Sequence, residues 1–335
     1  MSKAIVFSDW HIHDYKNFSN NVNRLQNCLN VLEDLGQFCD EYDIKIILFA
    51  GDIFDSHKAL LTNVVNETAK AFTTFFTERP DVKFYAITGN HDQSTKNLIE
   101  KPAVSALEHL ATFFPDNFIL IDDKIVEVEK DVWVAGVPYY EFPEHFQQRV
   151  KEITAKAVKK GGFRYLMIHQ TPAGIGNKMI PTDCDPNDEV FEAYNKVFCG
   201  HIHKRQQLTE NFHIVGSPIH RDMGDVGEKK GFYVINLQKP DKMKFIYLRG
   251  YPEFTEKYED EVTEEDRNDT NSFLVTKVRL DTLPFIKEAK VEEFSNDLEA
   301  TELITNFWRE VDGNDKKLLE VGLSFIKNNT NEKRK

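Results

Sequence analysis

Two rhythms of apolar and polar residues alternate along the first half of the chain. Lys3–Phe7, Ile44–Phe49 and Val82–Thr88 are short apolar runs. Runs of that length are expected to be strands buried on both faces. Between them, Leu25, Leu29, Leu32, Leu35 and Cys39 recur at helical spacing and predict a helix over Val22–Tyr42. A second helix is expected over Asn63–Glu78, stopped by Pro80. This β-α-β-α-β order predicts a parallel sheet in a layered α/β domain. Further on, the pattern predicts a helix over Pro102–Phe114, short strands at 118–121, 124–129 and 132–137, a helix over Pro143–Lys159 and a strand over Arg164–Ile168. Thr171–Asn187 reads as a long loop, and Lys196–Cys199 as another strand. Gln206–Leu208, His213–Val215, Gly231–Leu237 and Lys244–Leu248 read as successive antiparallel strands, which puts the end of a first domain near residue 250.

The pattern then changes. Glu253–Asp269 carries nine acidic and two basic residues, which reads as a solvated linker. Phe273–Leu280 alternates like a strand, so residues 251–290 are expected to form a linker and a small β capping element. From Val291 the period is helical, with one apolar stripe through Leu303, Ile304, Phe307, Trp308 and Val311 and another through Leu318, Leu319, Leu323 and Ile326. Residues 291–335 are thus expected to form a helix pair. Its stripes would pack on the domain core or dock on a partner, and Phe307 and Trp308 are typical interface anchors.

Composition narrows the function classes. The 335 residues carry a formal net charge of −13. Nucleic acid therefore cannot be held by bulk charge and would need a local basic patch or bound cations. Cys28, Cys39, Cys184 and Cys199 have no zinc-type spacing and read as reduced thiols. No apolar run approaches the roughly 18 residues of a membrane span. Met1-Ser2-Lys3 leads straight into a strand without a signal-peptide pattern, so a cytoplasmic location is expected.

Candidate chemistry sits where the strand-like runs end: Asp9-Trp10-His11, Gly51-Asp52 with Asp55 three residues on, Gly89-Asn90-His91-Asp92, His169, and Gly200-His201-Ile202-His203. The C-terminal strand ends of an open α/β sheet line one crevice. Asp9, His11, Asp52, Asn90, His169, His201 and His203 are the candidate metal ligands. Mixed carboxylate, amide and imidazole donors suit Mn²⁺, Fe²⁺ or Zn²⁺. Two such ions about 3.5–4 Å apart need a bridging carboxylate, for which Asp52 is placed, and would clamp an in-line displacement at phosphorus with a hydroxide as nucleophile. His91 is positioned to stabilise the transition state or protonate the leaving oxygen, and Asp55 to hydrogen-bond His91. Asp92 is expected to serve the turn.

These motifs, in this order, resemble the calcineurin-like metallophosphoesterase superfamily. The resemblance implies a four-layer α/β/β/α sandwich with a small C-terminal capping element and a terminal helix pair. It implies one metal held by Asp9, His11, Asp52 and His203, another by Asp52, Asn90, His169 and His201, and His91 as catalytic histidine. Asp52-Ile53-Phe54-Asp55 lacks the Arg-Gly of the protein phosphatases. Phe7–His11, Gly51–Asp55 and Gly216-Ser217-Pro218-Ile219 followed by Gly231-Phe232 are similar to the SbcD-type nuclease subunits, particularly short phage versions. That likeness implies a Mn²⁺-dependent DNA exo- and endonuclease of recombination and repair, a homodimer, and an SbcC-like coiled-coil ATPase partner docked through residues 291–327. His13, His57, Lys204, Arg205, His220 and Arg221 are candidate substrate contacts, and Lys58, Lys96, Lys101 and Lys178 lie in or near the same loops. Two other functions fit the same motifs: a stand-alone phosphodiesterase or phosphatase whose C-terminal helices are core, and a metal-bound scaffold without activity.

Overall fold

The computed structural model describes residues 2–15, 23–55, 59–99, 101–175, 182–270 and 272–277. One compact unit spans Met1–Thr276, and a second spans Lys277–Lys335. The expected helix pair at 291–335 lies outside the described residues. In chain order the elements are β1 (Lys3–Phe7), α1 (Arg24–Tyr42), β2 (Ile46–Phe49), α2 (Thr62–Glu78), β3 (Lys83–Ala86), α3 (Leu107–Phe113), β4 (Phe118–Leu120), β5 (Lys124–Glu129), β6 (Val132–Val137), α4 (Pro143–Ala157), β7 (Phe163–His169), α5 (Glu189–Glu192), β8 (Lys196–Gly200), β9 (Gln206–Gln207), β10 (Phe212–Ile214), β11 (Gly231–Asn236), β12 (Lys239–Tyr247), β13 (Glu253–Tyr258), α6 (Glu264–Asn268) and β14 (Ser272–Lys277).

They build two six-stranded sheets, ordered β12-β11-β1-β2-β3-β4 and β5-β6-β7-β8-β10-β9, and a separate ribbon, β13-β14. Period-two alternation explains the layering. In β1, Ile5 and Phe7 face a core shared with Leu32 and Leu35 of α1 and Phe72 of α2, while Ala4 and Val6 face the other sheet. In β7, Tyr165 and Met167 enter that inter-sheet core, and Leu166 and Ile168 pack against Phe146 and Val150 of α4. Strands apolar on both faces demand cover on both faces, and helix–sheet–sheet–helix supplies it. This is the four-layer sandwich expected.

Four local readings change. Helix α3 starts at Leu107, not Pro102, because the residues before it pair with the loop after β3: Ser94 N donates to Val104 O at 3.0 Å, a carbonyl a helix would need, and Gln93 bridges Ser105 in antiparallel fashion. The motif strands do not share one sheet. β1, β2 and β3 are parallel neighbours in the first, and β7 and β8 in the second. Nor do the later strands form a run of antiparallel neighbours. β10 pairs parallel to β8, whereas β11 crosses to the first sheet and pairs antiparallel to β1. Finally, the acidic stretch opens with β13, which pairs with β14, and Phe254 and Phe273 pack ring against ring with centroids 4.9 Å apart.

Candidate metal centre

The loops after β1 and β2 are fastened to each other. Asp9 N donates to Gly51 O at 2.9 Å, Trp10 N to Asp52 O at 2.8 Å and Ile12 N to Ile53 O at 2.7 Å. Buried Trp10 anchors the first loop, its indole N–H donating to Cys28 O of α1 at 2.7 Å. This fastening holds the backbone in conformations that side chains avoid. Asp9, His11, Asp52 and His201 all have positive φ, at 52°, 49°, 64° and 82°. Such strain at non-glycine residues collects at functional sites. Two glycines make room: a side chain on Gly89 would run into the Asp52 carboxylate, and one on Gly51, at φ 95°, into the His169 ring.

Asp92 supplies the other half of this scaffold. Its Oδ2 accepts from Asp52 N at 2.8 Å and Gly89 N at 3.0 Å, and its Oδ1 from Ile53 N at 3.0 Å and Phe54 N at 3.2 Å. It serves the turn, as expected. Burial and the nearby Asp52 charge push its carboxyl up to about 8, against the N–H groups that favour ionisation. All four contacts need an acceptor, so the geometry supports the ionised form.

The expected ligands come together across the two sheets. Atoms of Asp9, His11 and His203 form one group within 4.8 Å of one another, those of Asp52, His169 and His201 form another, and those of His11, Asp52 and His91 a third between them. His11 Nε2 and His203 Nε2 stand 3.1 Å apart. Asn90 Oδ1 lies 3.0 Å from His169 Nε2 and 2.9 Å from His201 Nδ1. His169 Nδ1 bonds Ala50 O at 2.7 Å, which turns Nε2 toward Asp52 Oδ2 at 3.1 Å.

The protonation pattern fits a cation. Burial and the neighbouring imidazoles depress His201 to about 3, and burial with His11 and Arg221 beside it depresses His203 to about 4. Both rings are therefore neutral, as metal ligation requires. Burial opposes charge on His169 too, but the Asp52 carboxylate outweighs it and lifts the ring to about 9, so an ion bound there would displace a proton from this ring. Asp52 is held far below the usual carboxylate range: burial opposes its charge, but His169 and His11 prevail. Buried nitrogens and carboxylate oxygens facing one small space are a donor set for divalent metal ions.

The remaining candidates divide. His91 is at the site, its N donating to Asp52 Oδ1 at 2.8 Å and its ring edge-on to His11 with centroids 4.8 Å apart. Its expected bond to the Asp55 carboxylate is replaced by one from Nδ1 to the Asp55 backbone carbonyl at 2.5 Å. The Asp55 carboxylate instead faces Arg221 Nη2 at 2.9 Å, Tyr15 OH at 3.1 Å and His11 Nδ1 at 3.4 Å. The cause is the cation: a guanidinium and an imidazole compete for that carboxylate, and the carbonyl serves His91. Arg221 lies against the site, with Nη1 3.1 Å from His203 Nε2. His220 does not serve as a substrate contact. It is buried, accepts at Nδ1 from Phe254 N at 3.1 Å and bonds at Nε2 to Glu228 O at 2.8 Å, which uses both ring nitrogens. Lys204 pairs with Glu228 at 2.7 Å, Arg205 lies 4.2 Å from the Phe245 ring, and His13 Nδ1 accepts from Tyr15 N at 2.9 Å. His57, Lys58 and Lys178 lie outside the described residues. Tyr139 joins the site without belonging to any of the motifs. Its ring lies 5.7 Å from that of His201, and its signal was its place just past β6, another strand ending at this edge.

The chain has relatives among known proteins. It is 25% identical over 220 residues to a candidate phosphoesterase, 244L, of Invertebrate iridescent virus 6, covering 64% of this chain and 73% of that one. It is 21% identical over 286 residues to the D subunit of the SbcCD nuclease of Staphylococcus saprophyticus, covering 74% and 69%. Among solved structures it is similar to TT1561 of Thermus thermophilus, at 12% identity and a TM-score of 0.44 over 74% of this chain and 99% of that one. Another is a dimetal phosphatase from Danio rerio, at 12% identity and a TM-score of 0.47 over 70% and 92%. The calcineurin-like phosphoesterase profile matches residues 2–205, which include every metal-donor residue above, and the chain belongs to that family.

Proposed function

We propose that this protein is a two-metal phosphodiesterase acting on DNA, the nuclease subunit of an SbcC–SbcD-like recombination and repair complex, working with Mn²⁺ as a homodimer beside a coiled-coil ATPase. The observation that carries the chemistry is the pair of donor groups, Asp9–His11–His203 and Asp52–His169–His201, with Asp52 turned toward both. Asp9, His11, Asp52 and His203 would hold one ion, and Asp52, Asn90, His169 and His201 the other. Such ions supply a Lewis acid for the phosphoryl oxygens and acidify water near neutral pH.

The side chains do the rest. The Asp55 carbonyl accepts from His91 Nδ1–H and orients Nε2; the ring serves the leaving oxygen as acid in its imidazolium form, giving up the second proton, which sits on Nε2, and keeping the one on Nδ1. Arg221, steered by Asp55, meets a non-bridging phosphate oxygen as a fixed fork. The DNA assignment is supported by the similarity to the D subunit of an SbcCD nuclease. The likeness to a viral phosphoesterase favours the stand-alone enzyme as second reading.

One set of assays separates them. With Mn²⁺, the wild type should cleave both a small aryl phosphodiester and linear DNA, and chelation or Asp52→Asn should abolish both. Cleavage of the small ester alone would support the stand-alone enzyme. Failure to bind two Mn²⁺ per chain would overturn the site itself. Deleting residues 291–335 should leave a soluble enzyme that no longer binds a coiled-coil ATPase; aggregation with lost activity would place those helices in the core.

A further inference from the structure

Arg24 opens α1 and belongs to no motif, yet it is a buried cation, 4% exposed. Burying a guanidinium costs several kcal/mol unless it is paired, and no carboxylate takes this one among its described contacts. Its Nη2 donates to the carbonyls of His220 at 3.2 Å and Arg221 at 3.1 Å. Its guanidinium carbon lies 4.3 Å from the centre of the Tyr15 ring, 4.5 Å from that of Phe273 and 5.5 Å from that of Phe254. Those rings come from the β1 exit loop and from both strands of the β13-β14 ribbon. The ribbon also holds the loop between β10 and β11 whose carbonyls Arg24 bonds, through Phe254 N donating to His220 Nδ1.

Two of the groups that Arg24 touches, Tyr15 and Arg221, lead to one side of the metal centre. Tyr15, itself at φ 41°, shares its one hydroxyl proton between His11 O at 2.8 Å and Asp55 Oδ1 at 3.1 Å. Arg221 leads to Asp55 and to His203. His11 and His203 both belong to the Asp9–His11–His203 group. His169 is reached from Arg24 only further on, through His11 and then Asp52, which faces both groups.

We infer that Arg24 is a positioning residue for the Asp9–His11–His203 metal site alone, and that through it the β13-β14 ribbon is part of that site's frame. The inference rests on the two-metal reading above. Outer partners of metal ligands are typically worth about 10–100-fold in metal affinity. The test is Mn²⁺ titration of the full-length protein, followed by calorimetry and by electron paramagnetic resonance of bound ion. Arg24→Met, similar in length but uncharged, should weaken one of the two Mn²⁺ sites by about tenfold or more and leave the other within about twofold. Arg24→Lys, which keeps the cation over the rings and one donor, should recover most of the loss. Phe273→Leu, which changes only the ribbon, should weaken the same site in the same direction. Thermal melts of the metal-free variants show whether each is folded. Equal weakening of both sites, or unchanged binding in folded Arg24→Met and Phe273→Leu, would overturn the inference. A wild type that binds fewer than two ions would instead overturn the two-metal reading.

Discussion

Replacing Asp92 by Asn tests how the centre is built, because it keeps the shape and changes one atom. Oδ1 takes two backbone N–H groups and Oδ2 takes two more. Whichever way the amide turns, its NH₂ meets two N–H donors that had been satisfied. A buried polar group left without its partner costs about 1–3 kcal/mol, so the substitution costs about 2–6 kcal/mol before compensation. Removing the charge beside Asp52 returns on the order of 2 kcal/mol at an effective dielectric near 20. The expected net loss is therefore up to about 4 kcal/mol, with about 2 kcal/mol at the middle of the range, of the 5–15 kcal/mol typical of a domain. It should appear in urea unfolding of the metal-free protein as a lower midpoint with unchanged slope. Because the lost bonds hold Asp52 at positive φ, Mn²⁺ affinity should fall as well. A variant within about 0.5 kcal/mol of wild type that binds Mn²⁺ equally well would refute the claim that this carboxylate builds the Asp52 turn.

Three further outcomes are expected. His91→Gln should lower turnover by about 10²–10⁴-fold with both Mn²⁺ sites still filled, as measured by steady-state kinetics and metal analysis; lost metal would make the ring a ligand instead of an acid. Gly89→Ala should displace the Asp52 carboxylate and abolish Mn²⁺ binding in calorimetry, since the added methyl group occupies its place. His213, buried in β10 beside Lys196, is lowered by burial to about 4 from an ordinary 6.5. The unfolded chain therefore binds the extra proton first, and stability should fall by up to about 3 kcal/mol as pH drops from 6.5 to 4; His213→Phe should lack that part of the slope in urea midpoints taken across the range.

Much of the centre was legible in the sequence because the fold presents it locally. Asp9, Asp52, Asn90, His169 and His201 each follow a buried strand, and an apolar run that ends in a polar residue marks that place without any tertiary information. Asp55 shows the limit. Its spacing from Asp52 places it near His91, but nothing local says that Arg221, 166 residues later, will take the carboxylate and leave the carbonyl to the ring. His220 looked like a spare histidine beside a motif loop, and only its burial against Phe254 gives it a structural task. Arg24 carried no signal because its ring partners come from distant segments, and Tyr139 was marked only by its place past β6, since its contact is with His201, a residue 62 positions later.

The sequence by itself determined which residue types stand at the strand exits and which faces of each strand are apolar, since alternation and glycine placement act within a few residues. Only the tertiary structure decided that the exits belong to two sheets and that their ends meet, with His169 of the second reaching Ala50 and Asp52 of the first. The physical reason is that strands apolar on both faces can be covered by helices or by another sheet, and the local pattern is the same for either. The choice follows from how the whole set of faces is buried, and that choice brings the donors of one metal centre together from opposite halves of the sandwich.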